Sequence, residues 1–147
     1  MTTRTLALLV VAASIVIAQA IGAAQQPVSD VQISIDKIEK NDSVRGTVSG
    51  LTTAGRDQLR VVVYVKTDKW YIHPFAQGGD GKSFASIDAH GRWTIGSEFR
   101  GFAASAVAAL IVRGDTATPP QVFSVRDIPN IAIIVRQLEG TREFGTI

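Results

Sequence analysis

The stretch Ala76–Ser83 reads AQGGDGKS and satisfies the loose phosphate-loop pattern, ending Gly-Lys-Ser. A phosphate loop works when a buried strand delivers a glycine-rich turn to the start of a helix, whose amides and dipole cradle the phosphates. Here Pro74 and Phe75 precede the glycines, and Ser83–Asp88 (SFASID) alternates like a strand. The stretch therefore reads as a flexible turn between strands, and no nucleotide is expected. His73, Asp80 and His90 are metal-ligand types, but their spacing does not assemble the three or four ligands zinc needs. His73 is expected beside Trp70 and His90 in a turn. No serine occupies a Gly-x-Ser-x-Gly elbow, and no carboxylate pair is marked for glycoside hydrolysis. The chain reads as non-enzymatic, without metal or cofactor.

The aromatic residues carry the stronger signal. Trp70, Tyr71 and Phe75 fall close together, flanked by Lys69 and His73. Exposed rings offer flat apolar faces for sugars, and neighbouring polar groups bond hydroxyls. Trp70, Tyr71, His73 and Phe75 are thus the candidate ligand-binding residues. The competing expectation is that tryptophans fill a core. Trp93 sits mid-strand in phase with Ile95 and is expected inside. Trp70 follows the turn Thr67–Lys69 and reads as either core or binding surface, with Ala106 and Ala108 leaving room for its ring.

These residues need a scaffold, and its period is two. In DVQISIDKI, Val31, Ile33 and Ile35 face one way. SVRGTVSG repeats the pattern, and Thr53–Asp57 is a polar loop. Leu59–Thr67 is apolar on both faces and reads as a central strand. Lys82–Asp88, Arg92–Gly96, Ser105–Arg113 and Ile131–Leu138 complete the set. The alanines and leucine of Ser105–Arg113 would suit a helix, but its length, its β-branched residues and the Gly and Pro that close it favour a strand. The long connection Gly114–Asn130 either crosses between sheets or adds an edge strand. About seven strands without a long amphipathic helix predict an all-β fold. The expected form is an immunoglobulin/fibronectin-like antiparallel β-sandwich, with a small barrel as the other option.

The chain has 147 residues, 46% hydrophobic and 19% charged, enough for one cored domain. A formal net charge of +2, from scattered Lys and Arg, is too small for a nucleic-acid footprint. Residues 1–24 combine Arg4, an apolar run from Leu6 and small residues at Ala18–Ala20 and Gly22–Ala24. This outlines a signal-peptide helix with cleavage after Ala20 or Ala24; if retained, it is long enough to anchor the chain in a membrane. The expected organisation is leader 1–24, sandwich 25–138 and polar tail 139–147. With no cysteine, neither a lipid anchor on Cys nor a disulfide framework is available.

Several pieces, in order, resemble bacterial secreted immunoglobulin-like accessory domains. They are Val44–Gly50 (VRGTVSG), Val61–Tyr64, Trp70-Tyr71-Ile72-His73-Pro74, Ile87–Trp93 and Ala108–Val112. The resemblance covers about Val44–Val112, with His73 where a polar amide would be expected. Such domains sit beside carbohydrate-active or cell-surface modules without catalytic residues. What the resemblance implies is a secreted or periplasmic, non-catalytic binding module. Its expected partner is a polysaccharide or, alternatively, a cell-surface protein contacted by a structural or adhesion component.

Overall fold

The computed structural model describes residues 30–74, 83–98 and 103–138. The leader at 1–24, Phe75, Asp80, the phosphate-loop residues 76–82 and the tail 139–147 lie outside the described residues. Among the described residues, no helix is long and apolar enough to cross a membrane. In chain order the elements are β1 (Gln32–Ile33), β2 (Lys37–Glu39), β3 (Ser43–Ser49), α1 (Thr53–Arg56), β4 (Leu59–Lys66), β5 (Trp70–His73), β6 (Arg92–Gly96), β7 (Ala106–Arg113), β8 (Gln121–Val122) and β9 (Ala132–Gln137). A 3-10 turn, Val125–Asp127, precedes β9. The strands form two antiparallel sheets, an all-β sandwich.

In the first sheet, β1 and β2 run along one side of β3, and β6 pairs with the other. Ile33 lies opposite Val48, but Lys37 lies opposite Arg45. A step of four residues on one strand thus matches three on its partner, which is a β-bulge. The Asp36 N–H donates to the Arg45 carbonyl at 2.9 Å, so Asp36 and Lys37 share one partner. The hydrophobic pattern requires this extra residue. Val31, Ile33 and Ile35 hold odd positions and Ile38 an even one, yet all four pack on the same core. The bulge switches the pleat and returns Ile38 to the inner face. Gly46 lies opposite Trp93. A Cβ there would meet the Ser34 carbonyl and come within 2.7 Å of the indole, so glycine lets Trp93 close onto β3.

The second sheet has the order β8-β5-β4-β7-β9. β4 and β7 pair from Leu59–Arg113 to Lys66–Ala106, and both are apolar on both faces. Val61, Val63, Val65, Val107, Ala109 and Ile111 meet Val44, Val48, Trp93 and Ile95 in the core between the sheets. Val62, Tyr64, Ala106, Ala108, Leu110 and Val112 build a second core on the outer face. The connection 114–130 covers that face with Val125 and Ile128. Besides the β8 ladder, hydrogen bonds from Arg60, Tyr64 and Ile72 hold it down. Arg60 Nη2 donates to the Thr116 carbonyl (2.8 Å), Tyr64 Oη to the Pro119 carbonyl (2.7 Å) and the Ile72 N–H to the Pro120 carbonyl (3.0 Å).

Ser105–Arg113 is a strand, as expected, with β7 starting at Ala106. The structure corrects other expectations. The region 83–88 makes a single bridge, Ala85 with Val61, instead of a strand, although Ala85 and Ile87 are both buried. The expected polar loop after β3 contains the single helical turn α1. The connection 114–130 adds an edge strand, β8, and does not cross to the other sheet.

Candidate functional site

The aromatic loop of the sequence is strand β5. It pairs with β4 on one side and with β8 on the other, which sends alternate side chains to opposite faces. Trp70 and Ile72 enter the outer core, and Trp70 is only 7% exposed. The Lys66 ammonium stands 5.6 Å from the centre of its ring. Of the three described candidates, Trp70 therefore faces away from Tyr71 and His73. Trp70 is core, Tyr71 is half-buried, His73 is buried, and Phe75 lies outside the described residues. Trp93 is core, as its phase with Ile95 predicts.

The Tyr71 hydroxyl donates to Asp68 in the β4–β5 turn at 3.4 Å. The Thr67 hydroxyl, also donating to Asp68, leads the contacts that hold this carboxyl below its usual range. Tyr71 is shifted upward, first by desolvation and then by Asp68. His73 does a different job. Its Nε2 lies 3.2 Å from the Glu98 amide and 3.4 Å from Ser97 Oγ. An amide N–H can only donate, so Nε2 accepts there. β5 belongs to one sheet, while Ser97 and Glu98 follow β6 of the other. The imidazole thus ties the two sheets together.

Of the phosphate-loop stretch, Ser83 is described, and its hydroxyl donates to the Pro74 carbonyl at 2.7 Å. That hydrogen bond joins the two ends of the segment 75–82. His90 is exposed, and its amide bonds the Asp88 carboxylate in a turn. Among the described residues, no three His, Asp or Glu side chains gather into a possible metal site. An open hollow of about 320 Å³ lies where β4 begins and β7 ends. Its lining residues, Gln58, Arg113, Gly114 and Asp115, are all exposed.

The feature that sequence reasoning passed over is the outer edge of β9. This strand pairs with β7 from Ala132–Ile111 to Gln137–Ala106. The Leu138 N–H donates to the Ser105 carbonyl, so Leu138, Arg136, Ile134 and Ala132 turn their backbone groups toward β7. Ile133, Val135 and Gln137 then point N–H and C=O away from the sheet. Among the described residues, no strand pairs with that edge. The strand, AIIVRQ, packs apolar side chains on both faces: Ala132 and Ile134 on the inner core, Ile133 and Val135 on the outer. The signal was present in the sequence as a run of apolar residues without alternation.

Comparison with protein-family models, with curated proteins and with solved structures found no match.

Proposed function

We propose that this chain is an exported, non-catalytic interaction module that contacts protein through the β9 edge of its larger sheet. We also assign it an immunoglobulin/fibronectin-like topology. That assignment is supported by a small sheet of β1/β2, β3 and β6 facing a larger one of β5, β4, β7 and β9. The leader at 1–24 supports export. The observation that carries the reading is the row of outward backbone groups on Ile133, Val135 and Gln137, flanked by apolar side chains. Such an edge takes an added strand, with main-chain hydrogen bonds giving affinity and side-chain pockets giving selectivity. A sugar-binding face would need exposed rings, whereas Trp70 and Trp93 are 7% and 2% exposed. Shielded tryptophans favour protein contact over stacking on a polysaccharide.

A photo-crosslinking residue in place of Gln137, introduced in the cell of origin, tests this reading. It should form a protein adduct that a second substitution, Val135→Pro, removes. The same residue in place of Thr53, exposed on α1, should form none. Absence of an adduct at 137 would sink the edge reading. Retardation of the chain in a polysaccharide gel, lost in a folded Trp70→Ala variant, would restore the sugar reading.

A further inference from the structure

We infer that the strand added to β9 is β9 of a second copy, antiparallel and centred on Val135. The inference rests on the reading of β9 as the contact edge. In this register Val135 meets its own copy and Ile133 meets Gln137. All three outward-pointing residues of each strand are then used, and every pair exchanges two N–H···O bonds. A register centred on Ile134 would bring Ile131 into the outer ladder in place of a fully open pair. The Ile131 N–H is already committed to the Ile111 carbonyl at 2.8 Å.

Side chains lead to the same occupant. The β9 edge lies between two cores, so an added strand has to be apolar on both of its faces. An ordinary half-buried strand, with one polar face, would set polar groups against Ile133 and Val135 or against Ala132 and Ile134. β9 comes closer. In this register Val135 meets its own copy and Ala132 meets Leu138. Each face carries one polar residue, Gln137 opposite Ile133 and Arg136 opposite Ile134, rather than a wholly polar face. Charge is also compatible with self-pairing. Arg136 is the single formally charged residue of the strand, and in this register it lies opposite Ile134. Like charges directly opposite destabilise a strand pair, and this register opposes none within β9.

The opposite edge of the same sheet limits growth. β8 is two residues long and follows Pro119 and Pro120, which have no N–H to offer. Pairing through β9 is isologous and closes at two copies rather than extending into a filament.

Cysteine substitution tests the register directly, because the chain has no cysteine of its own. Residues opposed in a hydrogen-bonded antiparallel pair have Cα atoms about 5.5 Å apart, within disulfide range. On the exported protein, Val135→Cys should give a disulfide-linked dimer on mild oxidation. Thr53→Cys, treated alike, should stay monomeric. Without oxidant, sedimentation should show the parent chain as a dimer whose dissociation constant rises at least about tenfold in Val135→Pro. Circular dichroism should show that this variant remains folded.

A parent chain that stays monomeric across the micromolar range, with no faster crosslinking at Val135→Cys than at Thr53→Cys, overturns the second copy as occupant. If the crosslinker at position 137 still captures another protein in that case, the edge reading survives with a different partner. If it captures nothing, both readings fall.

Discussion

The two edges of the five-stranded sheet are built in opposite ways. On the β8 side, the sheet ends in two residues that follow a pair of prolines. The connection carrying them is pinned by Arg60, Tyr64 and the Ile72 amide. On the β9 side, six residues run without proline and leave alternate backbone groups pointing outward. The difference follows from the outer face of the sheet. That face is apolar, so it needs a cover, and the connection 114–130 supplies one. Its path runs along β5 and blunts that edge in passing. Among the described residues no segment covers the β9 edge in this way, and edges left apolar and unprotected are sites of strand pairing.

Proline substitutions at neighbouring positions should break the comparison most sharply. Ile134 donates its N–H to β7 and Val135 points its own outward. Ile134→Pro removes an internal ladder bond and should destabilise the fold by about 3 kcal/mol, close to the cost of proline inside regular structure. Val135→Pro removes no internal bond and should cost less than about 1 kcal/mol while abolishing association. Urea unfolding of both variants measures the first contrast, and sedimentation the second. Equal destabilisation would mean that β9 is not an open edge.

The protected edge should fail at alkaline pH. Burial pushes the Tyr64 hydroxyl from 10.0 to about 12, against a smaller opposing pull from Arg60. A pKa raised on folding gives stability that is full below the unfolded value of about 10 and is lost as pH rises through about 12. At about 1.4 kcal/mol per unit, roughly 2–3 kcal/mol should disappear across that window. Tyr71 shifts in the same direction and adds to the loss. Unfolding free energies measured from pH 9 to 12 test this. A flat profile would remove Tyr64 as the clamp on the connection.

Much of this architecture is legible in the sequence, and the exceptions share a cause. β4 reads as a strand apolar on both faces, and β7 reads as a strand despite its alanines. The bulge before Ile38 emerges only from the pairing with β3, because alternation through Ile35 does not show where the pleat switches. What also cannot be read locally is which segment covers the outer face. Trp70 shows this most clearly: its position next to a polar turn suits either a binding ring or a core ring. The choice is made by Val122, Val125 and Ile128, more than fifty positions further along the chain. The same dependence hides β5, since WYIH is short and carries no alternation that distinguishes strand from loop. At 83–88 the alternation is real but yields one bridge, because β5 takes the same side of β4 further along, opposite Val63–Lys66.

Two milder substitutions sharpen the contrast. Tyr64→Phe keeps the ring in the outer core and removes its hydrogen bond to Pro119. A hydrogen bond of this kind contributes about 1 kcal/mol net, so the loss should be of that order. The variant should also flatten most of the alkaline profile, since the group that titrates is gone.

The smallest effect belongs to the tip of the connection. Phe123 is 81% exposed, and the Lys69 ammonium stands 4.8 Å from the centre of its ring. An exposed cation–ring contact contributes about 0.5 kcal/mol. Lys69→Ala should therefore cost no more than about that, and it should leave β9 self-association unchanged. Hydrogen exchange gives the finer reading. The Val122 amide, beside the contact, should exchange faster in the variant, while the Arg136 amide, paired to β7, should not respond. If both amides speed up together, the two edges are coupled through the sheet, and treating one as closed and the other as open would no longer describe two independent regions.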